Sequence, residues 1–551
     1  MAQSDQPKPS ILTSAALAAG GFGTYHLCAH NPELAPFGYA GLAVGGIATL
    51  HGLNSLTHFI GDIVNEWKAM APEDPSVGTA GIQSAKDLRR NGHSRPKGDF
   101  IGTCGRLVVF DNDSTHSTCF GAPGSNKTVA NTLINTFLAA VSEQYDFVIL
   151  NGVKGDEAPI LKPAFDQYGI PLHVLHPSEK HADLIGPSAH YNSCDAAIDA
   201  ARNDPSDLLP TCRLQAMQLL PQLKKGEDRN KWWKDIGTDL STVIAAHLAL
   251  TDPWNCNQPN IQRIIADPER LNDTLDEITI ETCLLNGDLA TMAKDLIQLQ
   301  ISDPKNFHTA RNEISLAMQI YRPSSKIAKI SRDSSFDITA GTRKKPVVII
   351  LNPEVSRIGQ EGLWAADVTQ SLVRQVMRHS ERPLRGKIIW DEAAFAPLAG
   401  LNDLLVIGRQ WFSIDLYYQS MADGRRVHGH NEFDAILANT DRKTFMSFAD
   451  RGTAEYASQM MGDIGVLRRR FSQTAEGYKP NYSHERRRYA SADEWVNNFP
   501  ANQQLSFLRG QKPIISVKTT YAEIDPLRRL YGKSPFFDKR WMKDVRVRIE
   551  L

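Results

Sequence analysis

Two separated segments constrain this chain more than anything else in it. The first is Gly121-Ala122-Pro123-Gly124-Ser125-Asn126-Lys127-Thr128, just after an apolar run; the second is Lys387-Ile-Ile-Trp-Asp391-Glu392. A Gly-rich loop that opens a helix turns backbone N–H groups toward a phosphate, at the positive end of the helix dipole. In that reading Lys127 reaches the β- and γ-phosphates of ATP, and the Thr128 hydroxyl holds Mg²⁺. The second segment reads as a buried strand ending in two carboxylates. Asp391 supports the metal, and Glu392 orients and polarises an attacking water. Together the two halves imply a nucleotide-driven motor or switch on an α/β sheet.

The loop departs from G-x-x-x-x-G-K-[ST] at one place, where Asn126 stands for the second Gly. Gly serves at such positions because the backbone needs positive φ or close approach to the ligand. Asn is among the non-Gly residues most tolerant of positive φ, so the loop is expected to survive the exchange.

A length of 551 residues calls for several domains, each of about 100–200 residues. The net charge of −1 hides a division along the chain. Residues 326–551 hold 36 Lys and Arg against 26 Asp and Glu, whereas 192–325 hold 13 against 19. The segment with Asp391 and Glu392 is therefore the basic one, which suits a surface that meets polyanions. The seven cysteines form no C-x-x-C pair and read as reduced thiols. No HExxH, GxSxG or EF-hand loop is present. His428-Gly-His430 reads as a solvated polar turn.

Residues 10–32 and 34–61 contain no Asp, Glu, Lys or Arg, and Glu33 alone separates them. Each run is long enough for a membrane helix of about 20 residues. Gly41 and Gly45 stand at GxxxG spacing, which permits close helix packing in lipid. Lys68, Lys86, Arg89 and Arg90 follow the second run and, with Lys8 before the first, place the body on the cytoplasmic side. A second apolar run so soon after the first argues against a cleaved signal peptide.

Further on, 106–110 reads as a strand, followed by the phosphate loop and a helix through Val141; 145–150 and 171–175 read as the next strands. Apolar residues then recur at helical spacing, as in Ile236, Leu240, Ile244 and Leu248, so 192–325 reads as an inserted helical lobe. Strands resume at 345–351, 388–390, 414–418 and 442–448. Gln419, ending the strand after the carboxylates, is placed to sense the γ-phosphate. The whole reads as a wound α/β sheet.

The ordered set of segments resembles the type IV secretion coupling proteins, the TraG/TraD family of membrane-anchored RecA-like ATPases. After the apolar runs come Gly78-Thr-Ala-Gly and Asp87-Leu, then the phosphate loop. Asn151-Gly-Val-Lys154-Gly155-Asp156 is similar to the family's Asp-Pro-Lys-Gly-Glu strand end, and Asn230-Lys-Trp-Trp-Lys to its tryptophan-bearing helix. Trp390-Asp391-Glu392-Ala-Ala-Phe, Tyr418-Gln419-Ser420, Gly452-Thr-Ala-Glu-Tyr456 and Arg509-Gly510-Gln-Lys-Pro513-Ile resemble later motifs. Asn126, Asn151 and Gly152 depart from the pattern near the nucleotide.

The resemblance implies a RecA-like P-loop ATPase domain in two parts, 66–191 and 326–551. An all-α domain at 192–325 lies between them, and an anchor of two transmembrane helices at 1–65 precedes them. It also implies a homohexamer beneath a bacterial inner membrane, using ATP and Mg²⁺ to pass single-stranded DNA into a type IV secretion channel. Nucleotide would lie between subunits, with Arg409 reaching the neighbour's γ-phosphate. The acidic helical lobe would receive the relaxase and accessory proteins of the relaxosome. Arg468-Arg-Arg470 and Arg486-Arg-Arg488, with Tyr482 and Tyr489, are expected to touch DNA. The basic tail after Pro526 would line the ring or meet anionic lipid. Two other classes compete: a receptor and scaffold that binds nucleotide but barely hydrolyses it, and a chromosome-segregating DNA translocase.

Overall fold

Consecutive runs of β-branched and aliphatic residues, such as Val347–Leu351, are buried along their whole length, as strands covered on both faces must be. They build the centre of an eleven-stranded mixed sheet in a computed structural model that describes residues 80–220, 231–379, 382–395, 397–474, 477–536 and 544–549. The two N-terminal apolar runs, 10–32 and 34–61, lie outside the described residues. So do Gly78, Asn230, Lys539, Arg540 and Lys543. Among the described residues no helix is long and apolar enough to cross a membrane.

The strands are β1 (Asp99–Cys104), β2 (Leu107–Asp111), β3 (His116–Phe120), β4 (Phe147–Asn151), β5 (Leu172–Leu175), β6 (Val347–Leu351), β7 (Gly386–Trp390), β8 (Phe412–Tyr418), β9 (Arg442–Phe445), β10 (Asp463–Thr474), β11 (Gly477–Arg488), β12 (Gln503–Leu508) and β13 (Ile514–Val517). Their order in the sheet is β2-β1-β13-β12-β9-β3-β8-β7-β4-β6-β5. From β9 to β5 every neighbouring pair is parallel. From β2 to β9 the pairs are antiparallel. The parallel part has the crossovers of a wound sheet.

One expectation needs correcting here. The apolar stretch around 106–110 does form a strand, β2, but it sits at the antiparallel edge. The strand that delivers the phosphate loop is β3, with the sequence His-Ser-Thr-Cys-Phe, buried at every position between β8 and β9. Its polar side chains are spent inside the sheet: Ser117 Oγ donates to Asp415 at 2.6 Å and His116 Nδ1 accepts from the Ile414 N–H at 3.2 Å. Hydrophobicity gave no sign of it.

Interior charge explains part of the basic excess. Lys387 on β7 pairs with Asp99 and Asp415 at 2.8 Å each. Arg442 on β9 pairs with Asp99 and Asp111, also at 2.8 Å. These two cations are buried and face carboxylates, so they offer nothing to a polyanion. In the described part of the tail, Arg529 and Arg548 pair with Asp525 and Arg546 with Glu523, which neutralises much of that cluster as well.

Between β5 and β6 the described chain contains only helical elements, including Asp195–Asn203, Leu208–Leu219, Lys231–Thr251, Pro268–Ile280 and Asp288–Ser302. Leu240, Ile244, Leu271 and Leu275 on its apolar stripes are all buried. After β6, helix Ile358–Arg378 buries Trp364 completely.

Contacts divide the chain into two compact units. Sheet and helices form one, and residues 462–489 fall in the other. There β10 and β11 pair antiparallel over twelve positions. Within the hairpin Arg468 meets Glu485 at 3.1 Å, and Arg486 and Arg488 both meet Asp463.

Candidate active site

Three adjacent strands, β3, β8 and β7, run parallel, so their C-terminal ends deliver three segments to one edge of the sheet. β3 delivers 121–128, β7 delivers Asp391 and Glu392, and β8 delivers Gln419. Ligand sites of open α/β sheets lie at this edge.

The loop is held at both sides by backbone. Gly121 N donates to the Tyr418 carbonyl at 3.1 Å, and Ala122 N to Ser447 Oγ at 2.8 Å. A Cβ on Gly121 would stand 2.5 Å from Ser125 Oγ and 3.2 Å from Met446 Cβ, so a side chain there would have to displace Ser125. Asn126 takes φ 69, the left-handed conformation expected of a loop Gly. Downstream the chain enters one π-type turn, Thr128–Thr132, before the α-helix Leu133–Val141. Such turns recur at functional sites, and no sequence signal announced this one.

Lys127 is buried; its ammonium donates to the Gly121 carbonyl and lies 3.2 Å from Glu392 Oε1. Thr128 Oγ1 donates to Asp391 Oδ2 at 2.9 Å. Asp391 is buried, its N–H donates to the Asn151 carbonyl at 3.0 Å, and among the described residues its Oδ1 has no hydrogen-bond partner. Glu392 takes φ 55 and accepts from Gln419. Burial raises the Glu392 pKa above the usual carboxylate range, against the pull of Lys127 and with a push from Asp391. Residues 121–128, Asp391, Glu392 and Gln419 are thus brought together.

Arg409 is not part of this cluster. It precedes β8, at the opposite edge of the sheet, where its guanidinium donates to the Leu405 and Asn439 carbonyls at 3.3 and 3.1 Å. His428 departs from the expected solvated turn. It ends helix Met421–His428, stacks on Phe433 and lies 3.1 Å from the Tyr418 hydroxyl. Burial lowers its pKa to about 4. His430 does face solvent.

Sequence reading missed several participants. Lys154 donates to Thr128 Oγ1 at 2.6 Å. Lys518, buried, reaches the Ser125 carbonyl at 3.4 Å. Glu157, fully buried, accepts from the N–H groups of Val153, Lys154 and Gly155 at 3.2, 3.1 and 2.8 Å. Burial, then Asp156 and Asp391, raise its pKa to about 7. Gly152 has a packing reason, because a Cβ there would meet the Glu157 carboxyl carbon at 2.9 Å. Lys154 was visible as part of a motif; Glu157, one position beyond that motif, was not.

Residues 385–496 match the family model described as the TraM recognition site of TraD and TraG. That stretch runs from β7 past Asp391, Glu392 and Gln419 to the helix after the hairpin. Over these residues the chain is similar to TraD and TraG. Its fold agrees with that of the bacterial conjugative coupling protein TrwBdeltaN70, unbound, at TM-score 0.57 and 17% identity over 80% of this chain and 92% of that one. TrwB in complex with ADP and Mg²⁺ matches at TM-score 0.57 and 17% identity, covering 80% and 93%. TrwB with the non-hydrolysable ATP analogue ADPNP matches at 0.56 and 16%, with the same coverage. At these identities the likeness is one of fold, a large mixed sheet with an inserted run of helices. No curated protein matches the chain by sequence.

Proposed function

We propose that this TraG/TraD-like protein is a coupling ATPase. It would use hydrolysis at the β3–β7–β8 edge to drive single-stranded DNA, brought by a relaxase and its accessory proteins, into a type IV secretion channel. The observation that carries the reading is the convergence of Lys127, Thr128, Asp391, Glu392 and Gln419 at one sheet edge. The three structures named above are of one coupling protein, TrwB, two of them with ADP and Mg²⁺ or an ATP analogue, which points the same way.

The residues fit Mg²⁺ bound with the nucleotide. A hydroxyl and a carboxylate supply hard oxygen donors, and the unpartnered, buried Asp391 Oδ1 suits a polar or cationic neighbour. When bound, the ion would neutralise charge on the β- and γ-phosphates. Thr128 and Asp391 would hold it. Lys127 would exchange Glu392 and the Gly121 carbonyl for phosphate oxygens. Glu392, released from Lys127 and with its pKa raised, would accept a proton from the attacking water. Gln419, bonded to Glu392, would couple that carboxylate to the state of β8. Arg409 would serve the nucleotide of a neighbouring copy in a hexameric ring.

The finer assembly follows the same reading. Residues 1–65 would anchor the protein by two helices in a bacterial inner membrane, with the ATPase body in the cytoplasm. The helices of 192–325 would form the inserted all-α domain that meets partners. The arginine-bearing hairpin 462–489 would touch DNA through phosphates, without sequence preference.

The test is ATP hydrolysis by the purified full chain in detergent, with and without single-stranded DNA, beside Lys127→Ala. DNA-stimulated turnover that disappears in the variant is expected. Lys127-dependent nucleotide binding without turnover would replace the motor by a nucleotide-binding receptor of the channel.

A further inference from the structure

We infer that Lys154 serves as a built-in cation for the metal position: it must give up the Thr128 hydroxyl when Mg²⁺-nucleotide binds, and so couples the 152–156 loop to the site. The inference rests on the nucleotide reading above and adds a residue and a response to it. Thr128 Oγ1 accepts from the Lys154 ammonium at 2.6 Å while donating to Asp391 Oδ2 at 2.9 Å. That places a positive charge against the oxygen that a divalent ion would approach to about 2.1 Å. Two cations cannot lie on one hydroxyl oxygen at those distances without strong repulsion.

The contact is built by the loop. Glu157 is wholly buried and ties down the N–H groups of residues 153–155 from beneath. Gly152 leaves no room for a side chain above that carboxylate. Asp156 Oδ2 accepts from Ser534 Oγ at 3.0 Å. The backbone is therefore fixed on three sides, and Lys154 projects from it to Thr128. Lys154 itself is exposed, so its side chain has solvent to swing into. A fixed loop carrying a releasable cation lets site occupancy be read at the surface.

The consequence is competition. Lys154 raises the Mg²⁺ concentration needed for nucleotide to bind, and removing it lowers that concentration. The experiment titrates Mg²⁺ into the full-length protein at fixed fluorescent ADP and reads binding by fluorescence. Lys154→Met should lower the half-saturating Mg²⁺ several-fold, and Lys154→Arg should restore it toward the wild-type value. Glu157→Gln, which weakens the hold on the backbone N–H groups of 153–155 and leaves the Lys154 side chain in place, should shift the midpoint in the same direction as Lys154→Met. A Lys154→Met midpoint equal to or above the wild-type value, with normal nucleotide binding, overturns the inference alone. Failure of the wild type to bind nucleotide at any Mg²⁺ concentration overturns the nucleotide reading together with it.

Discussion

Asn126 shows how much one backbone angle decides. At φ 69 it occupies the conformation for which Gly is normally kept. Left-handed backbone costs an ordinary L-residue roughly 1–2 kcal/mol, and Asn less because its short polar side chain bonds locally. The exchange therefore keeps the loop while sacrificing little. Asn126→Gly should leave Mg²⁺-nucleotide affinity within about threefold of wild type, since Gly takes the same angle at no steric cost. Asn126→Val should weaken it by about tenfold or more, because a β-branched residue at positive φ is a true outlier. Calorimetric titration of ADP with Mg²⁺ into the three proteins decides it. Equal affinities for Gly and Val would mean that this angle does not shape the phosphate loop.

The element that most repays attention is β3, because it carries the loop and is almost unreadable. His116 begins it, fully buried, with its Nδ1 accepting from the Ile414 N–H at 3.2 Å. Burial, assisted by the nearby Arg409 charge, lowers its pKa to about 4 from an ordinary 6.5. The folded state thus binds fewer protons here than the unfolded chain. The His116 contribution is whole above pH 6.5 and is lost as pH falls toward 4, by up to about 3 kcal/mol. Denaturant unfolding at pH 7 and pH 4.5 should show this loss in the wild type and a smaller one in His116→Asn, whose amide oxygen can still accept from Ile414. An equal loss in both proteins would remove His116 from the account. The same strand explains what sequence could and could not reveal. β6 was legible because a strand buried on both faces is written as a continuous apolar run, and β7 and β8 because 388–390 and 416–418 stay apolar beside Lys387, Ser413 and Asp415. β3 was not, because its Ser117 is paired inside the sheet with Asp415, and a buried polar network has no hydrophobic signature. Of the site, residues 121–128, Asp391, Glu392 and Gln419 were legible from motif chemistry. Lys518 and Glu157 were not, since each acts through a contact made only by the fold.

At the scale of the whole molecule, the proposed ring predicts that one site would be completed by two chains. Within a single chain the phosphate loop and Arg409 stand at opposite edges of the parallel sheet, so Arg409 has no direct part in its own site. Its guanidinium is held by the Leu405 and Asn439 carbonyls and lies 3.9 Å from Asp441, yet remains partly open to solvent. Val406 and Ile407, just before it, are exposed at 55% and 60%, an apolar margin suited to burial against another copy. In a ring of heterologous contacts each site would then combine Lys127 of one chain with Arg409 of the next. Lys127→Ala and Arg409→Ala proteins should each be inactive alone. Mixed one to one under ring-forming conditions, they should recover turnover, because about a quarter of the interfaces join an intact Lys127 to an intact Arg409. The readout is ATP hydrolysis with single-stranded DNA present, as a function of mixing ratio. A mixture that stays silent while both variants still assemble would leave Arg409 as a brace for the β8–β9 edge, with the second chain's contribution coming from another residue.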